Sequence, residues 1–268
     1  MQRPRRDPGQ FGELLDSEHA ATINHDVTSM SRAGGHVRYN QPMETLYSDE
    51  ALIVVDKPSG LSVLPDGWEQ DSSYLVQKLQ EQFGKIFIIH RLDKATSGIM
   101  VFARTAQAHR SLSSQFERHE ARKIYRAIAL GNPRWDEHIA RHPLRVNVGH
   151  KHRTMVDDKN GKPCETRFKV LRRFPEHVLL EAELMTGRTH QIRVHAYALG
   201  HPLLGDTLYS APDTHLIARP ALHAYSLTFT HPSTQELLKL SAPYPPDFEA
   251  ALKDLPAAEL PRDLTQSF

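Results

Sequence analysis

Ile86-Phe87-Ile88-Ile89-His90-Arg91-Leu92-Asp93-Lys94-Ala95-Thr96-Ser97-Gly98-Ile99-Met100-Val101-Phe102 reads as a strand, a polar loop and a second strand. Both ends are β-branched and aromatic, the composition that fits a pleated, largely buried surface. The centre crowds a histidine, an arginine, an aspartate and a lysine together, and charges of that density are not buried without partners. The centre is therefore a loop presented at the end of a rigid scaffold. An aspartate in such a place is ordinarily a turn former or an ion-pair partner, so by itself Asp93 carries no function.

Working outward, Thr105 caps a predicted helix that reaches about residue 119, with Leu112 and Phe116 as an i, i+4 pair, and residues 123–130 follow as a strand. On the other side, residues 51–55 form an apolar run that ends in the turn signal Lys57-Pro58-Ser59-Gly60, and Ser72 or Ser73 caps a predicted helix in which Leu75, Leu79 and Phe83 recur at helical spacing. Residues 168–171, 178–184, 222–230 and 237–240 are further strand candidates, and residues 189–199 a short helix capped by Thr189 and stopped by Gly200. Short strands interrupted irregularly by helices define an α+β fold with a mixed, largely antiparallel sheet and flanking helices, rather than a regular βαβ series. Residues 1–40 are polar, rich in Pro and Gly and without apolar period, and read as a flexible extension; 41–253 read as one catalytic domain and 254–268 as a tail.

Composition narrows the classes. A chain of 268 residues with 39% apolar content can bury a sizeable core. No stretch approaches the roughly 20 apolar residues of a membrane-spanning helix. The opening MQRPRRDPGQ is basic, yet Asp7, Glu13, Asp16 and Glu18 follow, which fits poorly with an acid-poor transit peptide. A cytoplasmic monomer is the simplest expectation. Cys164 is the only cysteine, so neither an internal disulfide nor a thiolate metal cluster is available. Histidine is abundant, at 17 residues, which raises a metal-dependent hydrolase as a competing class. However, His190 and His195 stand five apart, not the four that place two ligands on one helical face, and His150 and His152 lie in a basic loop, so no metal is expected. The formal charge of +1 neither demands nor excludes a polyanionic partner. Its distribution is more telling: the acid-free stretch between Glu137 and Asp157 carries Arg141, Arg145, Lys151 and Arg153, a pattern suited to phosphates and equally to a solvated loop.

Three segments set charged groups against the ends of predicted strands and helices: His90-Arg91-Leu92-Asp93 with Thr96-Ser97-Gly98, then Arg122-Lys123-Ile124-Tyr125-Arg126, then Thr186-Gly187-Arg188-Thr189-His190-Gln191-Ile192-Arg193-Val194-His195. In this order, and with Asp56-Lys57-Pro58-Ser59-Gly60-Leu61, Gly161-Lys162-Pro163, Gly200-His201-Pro202-Leu203-Leu204-Gly205-Asp206, Leu222-His223-Ala224 and His231-Pro232 around them, the chain resembles the RluA-type RNA pseudouridine synthases over about residues 45–248. The resemblance implies an α+β domain with a central RNA-binding cleft and a cofactor-free isomerisation of uridine, in which the bond from sugar to base nitrogen is exchanged for one to carbon. It implies that Asp93 is the nucleophile, a role that demands positioning more than activation. By family position Arg193 pairs with Asp93, its planar guanidinium able to fix both carboxylate oxygens, and Tyr125 stacks on the target base or moves a sugar proton. Arg91 fills the space left by the extruded uridine, with a phosphate contact as its alternative, and Arg188 is a phosphate contact or supporting residue. Lys57, Lys123, Arg145, Lys151 and Arg153 complete the candidate RNA-binding set, the role of Lys57 standing open between the fold and the RNA.

Many members of that family carry an N-terminal RNA-binding domain of about 60 residues, and the polar stretch before Leu46 is too short and irregular for one. The pattern is closest to the family's type member, whose substrates are a large-subunit rRNA hairpin and tRNA anticodon stem-loops, and this implies a structured hairpin-loop RNA as partner. A non-catalytic RNA-binding protein on the same scaffold is the competing reading; its Asp, Tyr and Arg would be free to drift, and all three are present.

Overall fold

The computed structural model describes residues 43–65, 73–149 and 153–256. The expected N-terminal extension and nearly all of the expected tail lie outside the described residues, as do Ser72, His150, Lys151 and His152. The strands are β1 (Glu44–Ser48), β2 (Leu52–Lys57), β3 (Phe87–Ile88), β4 (Ser97–Ala103), β5 (Arg122–Leu130), β6 (Glu137–Ala140), β7 (Leu144–Val148), β8 (Arg153–Val156), β9 (Thr166–Arg173), β10 (His177–Leu184), β11 (Leu222–Thr230) and β12 (Leu237–Ser241). The helices are α1 (Leu75–Phe83), α2 (Ala106–Glu117), α3 (Gln191–Ala198) and α4 (Pro246–Asp254), with a short 3-10 turn at Thr207–Tyr209.

The stretch that opens the sequence reading forms the spine. Every residue of β4 is buried, as its unbroken apolar run requires of a strand covered on both faces. It pairs antiparallel with β2 from Leu52 opposite Ala103 to Lys57 opposite Gly98. On its other side β4 meets β11 in parallel, through Ser97 with His223 and Gly98 with Ala224. This approach needs glycine: Gly98 has φ +114, and a Cβ there would lie 2.2 Å from the Ala224 carbonyl oxygen. From β11 the sheet continues antiparallel through β5, β10, β9 and β6, so that among the described residues one ten-stranded sheet joins the two halves. β7 and β8 form a separate hairpin. The fold is α+β with a mixed, mostly antiparallel sheet.

The core lies where β2 and β4 bury Leu52, Ile53, Val54, Val55, Met100, Val101 and Phe102 completely. A second cluster, around Ile128, Phe174, Leu204 and Phe248, seats α4. Buried Gln115 locks α2 to β11 by a reciprocal pair, donating to the Thr230 carbonyl at 2.9 Å and accepting from its N–H at 2.8 Å.

Helix starts separate local from tertiary control. Thr105 caps α2 as its sequence predicts, accepting from the Ala108 N–H at 3.1 Å. By contrast, α1 starts one turn-residue later than expected, with Tyr74 rather than Ser73 at the cap and no side-chain hydrogen bond. Nor does Thr189 cap α3: His190 occupies that place in the left-handed region, and the Gln191 side chain instead accepts the Arg188 N–H at 3.0 Å. The basic segment expected as a loop is the β7–β8 hairpin, and β1, β6 and α4 were not expected at all.

His223 marks the junction of β4 and β11. It is fully buried, with Nδ1 3.0 Å from Ser97 Oγ and Nε2 3.3 Å from the Ala242 carbonyl. Donation from Nε2–H to that carbonyl leaves Nδ1 to accept the serine proton, the arrangement of a neutral ring. Burial, reinforced by the Arg219 charge and opposed by the hydrogen bond to Ala242, pushes its pKa down to about 4. Between about pH 6.5 and 4 the unfolded chain therefore binds a proton that the fold refuses, and stability that is whole above this window is lost as the pH falls through it. His223→Gln is expected to flatten the dependence of unfolding free energy on pH by one proton, about 1.4 kcal/mol per pH unit, between pH 6 and 5 in urea titrations. An unchanged slope contradicts neutral burial.

Candidate active site

Asp93 sits between β3 and β4, and its backbone is clamped from beneath. Lys94 O accepts the Gly60 N–H at 2.8 Å and Lys57 Nζ at 3.2 Å. Ala95 O accepts Ser59 Oγ at 2.8 Å and Arg219 Nη1 at 3.3 Å, and Thr96 N–H closes a turn onto Asp93 O at 3.0 Å. Lys57 also donates to Pro58 O at 2.8 Å and Leu61 O at 3.0 Å and exposes no surface. Burial, helped by the Arg219 charge and opposed by Asp93 and Asp56, pulls its pKa down to about 7. Of the two roles left open for Lys57, its placement fits support of the fold: buried, its amine donates to three backbone carbonyls and braces the loop that carries Asp93.

Tyr125 lies in mid-sheet on β5 between two small neighbours, Ala182 on β10 and Ala224 on β11, which leave room for its ring. Only 8% of it is exposed. Burial and then the Asp93 charge raise its pKa, so the phenol stays protonated.

Arg193 projects from α3, and here the structure departs from expectation. Its Nε and Nη2 grip Asp206 at 2.7 Å each, while Nη1 stands 3.9 Å from Asp93 Oδ2. The bidentate partner is Asp206, not Asp93. A guanidinium has two usable edges, and the edge committed to Asp206 orients the other toward Asp93 at ion-pair rather than hydrogen-bond range. His190 approaches the same oxygen, Nε2 to Oδ2 at 3.8 Å.

A cleft of about 640 Å³, within the range of small-molecule sites, is lined among others by Arg91, Asp93, Lys123, Tyr125, Arg188 and His190. Arg91 and Arg188 are exposed on it. Lys123 is half-buried, its ammonium 5.6 Å above the Phe116 ring, and burial lowers its pKa. The hairpin residues divide differently: Arg145 is exposed and paired with Asp157 at 2.9 Å, while Arg153 turns inward over the Tyr209 ring at 5.1 Å. Lys151 lies outside the described residues. Among the described residues no group of histidine, cysteine and carboxylate side chains is arranged to hold a metal ion. No described helix is long and apolar enough to cross a membrane.

His190, Tyr209 and Asp206 are site residues that sequence reasoning did not assign. Asp206 gave one signal: it closes the run Pro202-Leu203-Leu204-Gly205-Asp206, and a carboxylate buried beside leucines must have a cationic partner.

A carboxylate within ion-pair range of a guanidinium, in a cleft also lined by a protonated phenol and two exposed arginines, suits attack on one unit of an anionic polymer. The family model for RNA pseudouridylate synthase matches residues 51–198. The dual-specificity RNA pseudouridine synthase RluA of Haemophilus influenzae is 40% identical over 212 residues, 77% of this chain and 97% of that one. The ribosomal large subunit pseudouridine synthase D of Nitrosomonas europaea is 37% identical over 244 residues, 83% of this chain and 69% of that one. Among solved structures, human RNA pseudouridylate synthase domain containing 1 superposes with a TM-score of 0.65 at 26% identity, covering 78% of this chain and 87% of that one. The chain belongs to the RNA pseudouridine synthase family, in its RluA-type branch. It is an RNA-modifying isomerase that converts uridine to pseudouridine.

Proposed function

We propose that the enzyme acts on a uridine presented in a hairpin loop of rRNA or tRNA, with Asp93 as nucleophile, Tyr125 against the base and Arg193 orienting the carboxylate. The observation that carries this reading is that Asp93 and Tyr125, from a loop and a mid-sheet strand, line one cleft with the exposed Arg91, while Arg193 on α3 reaches to 3.9 Å from the Asp93 carboxylate. The reaction breaks N1–C1′, forms C5–C1′, removes a proton from C5 and adds one to N1, so atoms balance without a redox partner. A carboxylate adduct divides the exchange into two easier steps. It frees the base to turn within a pocket walled by the Tyr125 ring. Either a sugar or a base adduct satisfies this balance.

Support for rRNA comes from the Nitrosomonas europaea relative, named a ribosomal large subunit pseudouridine synthase, and for more than one RNA from the Haemophilus influenzae relative, named dual-specificity, nearly all of whose length this chain covers. The described residues that line the cleft all come from one chain, which suits a monomer. The one cysteine, Cys164, is a buried free thiol, which suits the cytoplasm.

A uridine inside a folded loop must leave its stack, at a cost of a few kcal/mol. Arg91, two residues before the nucleophile and exposed on the cleft, is the flat cation available to replace it. Arg91→Ala is expected to slow modification of a stable tRNA or rRNA hairpin by about 10-fold or more, and of the same loop on a weakened stem by much less. Single-turnover rates on the paired transcripts test both halves of the proposal. Equal slowing makes Arg91 a phosphate contact, and modification confined to duplex rather than loop uridines removes the hairpin reading.

A further inference from the structure

Resting on the nucleophile reading of Asp93, we propose that His190 is a second positioning residue for the carboxylate, its Nε2–H turned toward Asp93 by the Tyr209 hydroxyl. His190 is the residue before α3 and holds a left-handed backbone, φ 57, which is uncommon for a non-glycine residue and less so for histidine. That conformation accompanies a ring that bridges two groups. Nε2 stands 3.8 Å from Asp93 Oδ2 and Nδ1 2.9 Å from Tyr209 Oη.

Tyr209 is built to be immobile. It is 1% exposed, and its ring has the guanidinium of Arg193 at 5.0 Å and that of Arg153 at 5.1 Å. Its hydroxyl accepts the Thr154 N–H at 3.0 Å and has two acceptors in reach for its own proton, His190 Nδ1 at 2.9 Å and Thr154 O at 3.2 Å. The carboxylate across the imidazole decides between them. An Nε2 lone pair aimed at Oδ2 would be repelled, whereas Nε2–H aimed there is attracted, and with the ring proton on Nε2 the free lone pair on Nδ1 takes the phenol proton. The groups facing His190 are Asp93, Arg193, Asp206 and Tyr209. Burial first, then the Arg193 charge, lower its pKa against the opposing pull of Asp93 and Asp206, so the ring is neutral. A neutral donor orients Asp93 without cancelling its charge, and the two contacts, from His190 and from Arg193 Nη1 at 3.9 Å, fall on the same oxygen, Oδ2.

The test compares His190→Gln, whose amide nitrogen reaches the place of Nε2, with His190→Phe, which fills the space without a donor. Single-turnover rates at saturating RNA are expected to fall about 30-fold in His190→Phe and less than about 5-fold in His190→Gln, with KM unchanged in both. Tyr209→Phe, which keeps its ring between the guanidiniums, is expected to lose about 10-fold alone and nothing further in the His190→Phe background, because the hydroxyl acts through the ring. Equal slowing in the two His190 variants, a wild-type rate in His190→Phe, or multiplicative losses in the double variant overturns the proposal. Should His190→Phe fail to fold, Tyr209→Phe decides, and a wild-type rate in it is fatal. Asp93→Asn distinguishes the underlying reading: if that variant is inactive while the His190 and Tyr209 variants are normal, only this inference fails.

Discussion

Asp93→Asn is expected to lower uridine isomerisation by at least about 10⁴-fold, the scale on which loss of a nucleophile acts, while the unfolding midpoint and the affinity for RNA change little. The selectivity follows from the geometry. Asparagine matches aspartate in shape, and the Asp93 side chain, 29% exposed, makes only long-range contacts with Arg193 and His190, at 3.9 and 3.8 Å. Removing its charge leaves the nearby buried cations their other partners: Arg193 keeps its two hydrogen bonds to Asp206, and Lys57 keeps three backbone carbonyls and the Asp56 charge. The loop stays in place, because Lys57, Ser59 and Arg219 hold its backbone rather than its side chain. Single-turnover assays alongside urea denaturation check both halves. Substantial residual turnover removes the nucleophile assignment, and loss of fold together with activity removes the claim that the clamp acts on the backbone.

The opposite pattern is expected at Asp206. This carboxylate is fully buried and Arg193 only 7% exposed, joined by two bonds of 2.7 Å. Breaking a buried pair by deleting one partner leaves an uncompensated charge and costs about 3–5 kcal/mol. Asp206→Ala should therefore lose stability on that scale in chemical denaturation. It should also lose activity, since Arg193, freed from its fork, can turn an edge onto Asp93 and engage both carboxylate oxygens, leaving neither free to attack. A change below about 1 kcal/mol would show that the pair is not the buried anchor its geometry describes.

How much of this was legible in the sequence depends on how local its cause is. β4 could be read because residues 99–103 are a continuous apolar run, and α2 because Thr105 supplies its own cap. The β7–β8 hairpin could not: Leu144 and Thr154 are the only buried residues of its two strands, the apolar Val146, Val148, Met155 and Val156 are exposed or half-exposed, and it pairs apart from the main sheet. α4 was missed for a similar reason, since only Phe248 and Ala251 mark its buried face. Asp93, Tyr125 and Arg193 were placed by resemblance; Asp93 and Tyr125 line one cleft, and Arg193 stands 3.9 Å from the Asp93 carboxylate. The error over the Arg193 fork has a physical source: the choice between Asp93 and Asp206 is made by the fold of the loop after α3, which no spacing rule encodes. Lys57 illustrates the same limit, because the carbonyl that helps bury it belongs to Lys94, 37 residues away. His190 and Tyr209 are 19 apart and meet only because the turn at Thr207–Tyr209 folds back beneath α3.

The most direct test of the central claim is a transcriptome-wide map of pseudouridine in cells lacking this gene, complemented with the wild type or with Asp93→Asn. The account predicts that loop uridines in rRNA or tRNA lose the modification, regain it with the wild type and stay unmodified with the asparagine variant. A map unchanged by deletion, or restored equally by both, would contradict it.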